Sequence, residues 1–270
     1  MFFNIRYIVL AFIITMSMAQ IGHVFAGEGA IKYILRLTTP KARVTQVIDG
    51  QTLVINNTTT IHLPAIYIPW ETPTSQGEYG KRAKEFLETE FLDKFVRIYQ
   101  VRNIERALFN ALGHKEAYLV RADDGLWAQE GLVKFGYAFA YPTQSHKDTV
   151  LELYKAEKFA KDEKIGFWAE DQWQILNEDT AIGVEDRFAI VEGVIEKIAV
   201  KNNVIYLNFG VDWKKDLTVS MDSLLRRHFS KAGINVTQLA GQKIRARGWI
   251  RDYNGPFIEI FDPSQIEIIN

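Results

Sequence analysis

A strand-rich α+β chain built in two units is what this sequence predicts, on three observations. Runs of β-branched and aromatic residues punctuated by Asn, Gly and Thr dominate from residue 42 onward. Only a few stretches repeat apolar side chains at helical spacing, and a polar stretch near residue 180 separates two strand-rich regions. With 270 residues, 47% of them hydrophobic and 24% charged, the chain fits one large globular domain or two of ordinary size. Its formal net charge of −1 excludes a surface coated in positive charge for bulk nucleic-acid binding. The absence of cysteine excludes disulfides, thiolate metal sites and cysteine nucleophiles.

The N-terminus reads as a secretory signal. Arg6 is followed by a largely apolar run from Tyr7 to Met18 and then by Val24-Phe25-Ala26, the order of basic start, short apolar core and cleavage site. The alternative is an uncleaved membrane anchor, but the core is shorter than the roughly 20 residues that span a bilayer, and Gln20 and His23 interrupt its extension. Cleavage after Ala26 gives an exported protein, periplasmic or secreted. It removes Arg6 and leaves 31 basic against 33 acidic residues.

The division expected is a signal at 1–26, an N-terminal segment at 27–40, a first domain at 41–173, a linker at 174–187 and a second domain at 188–270. The first domain opens with "RVTQVIDGQTLVINNTTTIHL", two β-branched runs around an Asn-Asn-Thr turn, which predicts a hairpin. A Pro- and Thr-rich loop follows from Pro69 to Gly77. Ala83, Phe86, Leu87 and Phe91 then recur at helical spacing. Residues 95–102 form a strand, and residues 115–141 a strand, an Asp-Asp-Gly turn and a short helix around Gln129 to Phe135. A second amphipathic helix, "VLELYKAEKFAKDEKIGFW", ends at Gly166. Past the polar linker come strands at Phe188 to Ala199, Val204 to Gly210 and Leu217 to Met221, a helix at Asp222 to Ala232, and strands at Gln242 to Ile250 and Phe257 to Ile260. Three strands, a helix and two more strands is the order of an OB barrel.

The segments "VIDGQT", "IHLPAIYIPWE", "YGKRAKEFL", "DDGLWAQEGLVKFGYAFAY" and "AEKFAKDEKIGFW" keep an order and spacing over residues 43–168 that resembles the thermonuclease, or staphylococcal-nuclease-like, family. The resemblance implies an OB-type barrel with packed helices and, in the family, calcium-dependent hydrolysis of DNA and RNA. Residues 188–270 are outside it and are only OB-like in element order. The family's chemistry requires two carboxylates on calcium, a glutamate acting on the attacking water, and two arginines on the phosphate. Carried over position by position, the resemblance retains the auxiliary acid as Asp49. It places the calcium carboxylates on Gln51 and Tyr67, the arginines on His62 and His114, and the base on Trp70, with Glu71 one residue late. Nearly every charge that would make the site catalytic is replaced, and members of such a site fail as a unit.

The expectation is therefore a nuclease-like fold that needs no cofactor where the family uses calcium, with no catalytic residue assigned. Its partner is expected to be single-stranded nucleic acid or an envelope protein complex. Plainer readings stand beside this one: Asp49 as a turn former, and Tyr67 and Trp70 as ordinary aromatics, or as a loop docking on another protein. An enzymatic alternative uses His62 and His114 as acid and base in metal-free RNA cleavage, or as zinc ligands together with Asp49. In the second domain, "QKIRARGWIR" alternates so that Lys243, Arg245, Arg247, Trp249 and Arg251 share one strand face. Such a row fits the backbone of a single strand, with the aromatic stacking on a base; the alternative is a solvated face. Residues 184–270 carry 12 basic and 11 acidic side chains, so any attraction is local.

Overall fold

A computed structural model describes residues 29, 31–69, 77–102, 108–143, 146–184, 186–212 and 215–269. The expected signal at 1–26, Trp70 and Glu71 lie outside the described residues. The fold is mixed α+β, as the strand and helix signals predict.

The first barrel is organised by β1 (Leu35–Asp49), a 15-residue strand that pairs with β5 (Phe95–Val101) along its first half and with β2 (Thr52–Ile55) along its second. Register shifts on both sides bend it enough to serve two neighbours. β2 turns into β3 (Thr59–His62) through Asn56 and Asn57, both in the left-handed region (φ 49 and 58), which asparagine tolerates better than most residues. After the short β4 (Ile66–Tyr67), helix α1 (Gly77–Phe91) buries Ala83, Phe86, Leu87 and Phe91 against the barrel, the four positions its periodicity selects. β6 (Lys115–Glu116) runs parallel to β3, and β7 (Tyr118–Arg121) pairs with β5. Only Ala117 separates β6 from β7, so this interrupted strand closes the barrel. Helices α2 (Ala128–Lys134) and α3 (Lys147–Asp162) cover one end, with β8 (Phe139–Ala140) paired to β4.

The second barrel repeats this order. β9 (Arg187–Val194) and β10 (Lys197–Lys201) take the place of the predicted continuous strand, which breaks at Ile195-Glu196 where Ile195 bonds to Gln242 and Gly241. β11 (Val204–Asn208) and β12 (Thr218–Asp222) follow. The predicted helix from Asp222 begins only at α4 (Arg226–Lys231), because Asp222 ends β12 and caps a 3-10 turn through Leu224 N–H. β13 (Lys243–Asp252) and β14 (Pro256–Glu259) complete the set, and β15 (Ile266–Ile268) adds a further edge. The order β10-β11-β12-β14-β13, with β13 returning to β9 and β12 parallel to β14, is that of a closed OB barrel.

Among the described residues of the expected linker 174–187, the chain packs on the second barrel. Leu176 pairs with β9 through backbone bonds to Ile190 and Glu192, and Leu176 and Ala181 are buried in the second core. The two cores meet on β9 itself. Phe188 and Ile190 belong to the first, while Ala189 and Val191, pointing the other way, belong to the second.

Candidate functional site

The site inferred from the resemblance is built on the turn after β1. Asp49 accepts a hydrogen bond from the Gln51 N–H at 2.8 Å, the local turn bond an Asx residue makes. The Gln51 amide Nε2 donates to the Leu63 carbonyl at 2.7 Å and to the Ile66 carbonyl at 3.1 Å. Between those two carbonyls Ala65 holds φ +64, a conformation that costs an L-residue about 1–2 kcal/mol. The two amide bonds offset that cost. Aspartate at 51 would be shorter and could only accept, so it would face two carbonyl oxygens with no proton to offer. Gln51 therefore works as a staple between β2 and the loop leading to β4.

Tyr67 has been drawn into an aromatic cluster. Its ring lies 5.2 Å from that of Phe188, 5.6 Å from Trp249, 6.2 Å from Tyr141 and 6.5 Å from Phe139. Phe188 and Trp249 come from the second barrel, so the position that would carry a calcium carboxylate carries a packing contact between barrels instead.

The remaining polar members gather around Glu116. His62 and Glu116 are register partners on β3 and β6, and the His62 ring feels the charges of Glu116, Asp49, His114 and His146. Burial holds its pKa below the ordinary histidine value, outweighing the pull of Glu116 and Asp49. The His114 Nδ1 is buried without a hydrogen-bond partner. His146, itself buried, brings Nε2 to 3.0 Å from the Glu116 carboxylate and Nδ1 to 2.7 Å from the Tyr118 hydroxyl, which lies 2.6 Å from the Thr149 hydroxyl. Thr149 donates its one hydroxyl proton to the His146 carbonyl, so it accepts from Tyr118, and Tyr118 accepts from Nδ1. Both ring nitrogens of His146 are thereby engaged, Nε2 in a hydrogen bond with the Glu116 carboxylate. The same hydrogen bond holds Glu116 below its ordinary carboxylate value. Sequence reading missed Glu116, Tyr118 and His146. A glutamate directly across from His62 was visible in principle, but the pairing depends on the parallel register of β3 and β6.

This donor set does not fit calcium. Of the positions the resemblance assigns, Asp49 is the one carboxylate among the described residues, and it accepts from the Gln51 N–H. The Gln51 carbonyl oxygen is a poor replacement for a charge, since calcium favours six or more oxygens including anions. Nor do His62, His114 and Asp49 assemble a zinc site. Among the described residues, no three His, Cys, Asp or Glu side chains are placed to hold a metal.

The β13 face requires a correction. Lys243, Arg245, Arg247 and Trp249 do share one face, as the alternation predicts, but carboxylates and the first barrel cover its centre at Arg245 and Arg247. Glu192, directly opposite on β9, takes Lys243 at 2.7 Å and Arg245 at 2.6 Å. Arg247 is 1% exposed, with its guanidinium 2.8 Å from both Glu157 of α3 and Glu267, 3.1 Å from the Ala140 carbonyl and stacked over the Tyr154 ring. Trp249 is 41% exposed and meets Tyr67 in a T-shaped contact, and Arg251 is exposed at the end of the strand. Within the row, Arg245 and Arg247 are taken up by carboxylates, and Arg247 and Trp249 meet the first barrel, while Lys243, Trp249 and Arg251 keep exposed surface.

Two OB-type barrels, the first with a cluster of polar side chains between β3, β6 and α3, define the class of protein. Residues 60–170 match the family model described as "Staphylococcal nuclease homologue", which makes that segment thermonuclease-like. The match includes His62, Tyr67, Trp70, Glu71 and His114 and begins after Asp49 and Gln51. A comparison with curated proteins finds no match.

Proposed function

We propose that this protein is an exported, nuclease-fold binding module that has lost calcium-dependent hydrolysis, with single-stranded nucleic acid or an envelope protein complex as its partner. One observation carries the reading: the Gln51 amide is committed to the Leu63 and Ile66 carbonyls, so the position that would hold a metal holds a structural hydrogen bond. Tyr67 supports it, because its ring packs between barrels where a carboxylate would be needed. For the export, the N-terminal signal pattern is the support; among the described residues no helix is long and apolar enough to cross a membrane. The test is digestion of plasmid DNA and of RNA by the purified chain in calcium, in zinc and in chelator. Both substrates remain intact under this reading, and calcium-dependent cleavage overturns it.

The gathering of His62, His114 and His146 favours one second reading, a metal-free RNA hydrolase. Only RNA carries an internal hydroxyl that an acid–base pair can activate without a metal. Such cleavage would survive chelator, spare DNA, peak below neutral pH, and vanish in both His62→Ala and His114→Ala.

A further inference from the structure

The outer face of the second barrel, away from the seam between barrels, holds a cleft of about 350 Å³. Lys197, Ala199 and Lys201 of β10 point into it on alternate positions, and Tyr206 and Asn208 of β11 lie directly across the ladder from Ala199 and Lys197. The rung continues through Thr218 of β12 to Phe257 of β14, so four strands contribute to one floor about 14 Å wide. Tyr253, 65% exposed, rises from the β13–β14 hairpin and meets Phe257 edge to face at 5.5 Å. That hairpin is held in place rather than loose. Gly255, at φ +94, lies so close to the Lys215 carbonyl that an added Cβ would sit 2.4 Å from it. The Thr218 hydroxyl donates to Asn208 Oδ1 at 3.1 Å and fixes that amide.

The chemistry of the cleft is one-sided. Among the described residues no Asp or Glu lines it, and neither Lys197 nor Lys201 has an ion-pair partner. Asp216, behind Gly210, is turned into its own loop to accept from the Asp212 N–H. Cations at both ends of a strand, separated by about 13 Å and by one exposed and two half-buried aromatic rings, suit a flexible polyanion with flat hydrophobic groups. We infer that this cleft binds a short single-stranded segment of nucleic acid, with Tyr206, Tyr253 and Phe257 stacking on bases and Lys197 and Lys201 meeting phosphates. This rests on the reading of the chain as a binding module and places the contact on a surface other than the β13 row.

The experiment is fluorescence anisotropy of an end-labelled oligothymidylate with the full chain at low salt, with the oligonucleotide recovered afterward on a denaturing gel. Binding is expected, with log affinity falling against log salt at a slope near −1.4 for two phosphates. Tyr206→Ala/Tyr253→Ala should weaken it about tenfold or more, and Lys197→Glu/Lys201→Glu should abolish it. Lys94→Glu/Lys231→Glu, an equal charge change at exposed positions elsewhere, should leave it nearly unchanged. Absence of binding overturns the inference, as does equal weakening by the control pair or indifference to the tyrosines. Binding of a neutral oligosaccharide in the cleft, with no oligonucleotide bound, also overturns it. Oligonucleotide bound but recovered cut would leave the cleft standing and sink the loss of hydrolysis.

Discussion

Gln51 is held as a structural donor, its amide committed to the Leu63 and Ile66 carbonyls. If the amide is needed as a donor, Gln51→Glu keeps the shape and removes the protons. The deficit at pH 7 should be about 2 kcal/mol, near 1 kcal/mol for each lost bond. Protonated glutamic acid can donate again, so the folded state raises this pKa above the unfolded value of about 4.3. Stability from that proton is present below about pH 4.3 and is lost as pH rises through the folded pKa. Thermal melts of the two proteins should therefore converge in acid and diverge toward neutrality; a constant gap would refute the donor role. Gln51→Asp should bring no heat of calcium binding in titration calorimetry, since one added carboxylate beside an occupied Asp49 is too few anions.

The native polar cluster has the opposite sign. Glu116 is held low by His146, and His62 is held low by burial. For Glu116, stability present above the unfolded carboxylate value is lost as pH falls through its folded pKa. For His62, stability present above about pH 6.5 is lost as pH falls toward its lowered folded value. Both make the first barrel acid-labile. Melting temperature should fall from pH 7 to pH 4, and His62→Asn should flatten the upper part of that fall. An unchanged profile in this variant would show that the cluster is not linked to folding.

Element by element, the sequence was most legible where periodicity alone decides. The four apolar positions of α1 and the Asn-Asn hairpin are local facts, and each is found as the pattern predicts. β13 shows the limit: alternation correctly put Lys243, Arg245, Arg247 and Trp249 on one face, yet it could not say what that face meets. Glu192 reaches Arg245 through strand register, and Glu157 reaches Arg247 from 90 residues away. Gln51 was hidden for the same reason, since its partners depend on the path of the loop at Ala65. In the middle of β13, Arg247→Ala should destabilise the protein by about 3–5 kcal/mol, because Glu157 and Glu267 lose their counter-charge in a buried place. Arg247→Met with Glu157→Gln should recover part of that loss. Denaturant titration measures both, and a double variant no better than Arg247→Ala would argue against uncompensated charge as the cause.

Over the whole molecule, side-chain contacts tie the two barrels together along one seam. The Tyr67 aromatic cluster, the Arg247 ion pairs and the Tyr154 hydroxyl donating to the Ser264 carbonyl at 2.5 Å all cross it. Calorimetry should show a single unfolding transition, with Phe188→Ala lowering its midpoint without splitting it. Two resolved transitions would mean that the seam contributes little to stability.

The double allegiance of β9 also sets a timetable for synthesis. The thermonuclease-like segment ends at residue 170, but its core lacks Phe188 and Ile190 until β9 has been made. At roughly 5–20 residues per second, a nascent chain waits about 1–4 s between finishing that segment and receiving the two side chains that complete its interior. Ribosome-bound chains stalled with residue 173 just outside the exit tunnel should be digested readily by protease, whereas chains extended past residue 194 should resist.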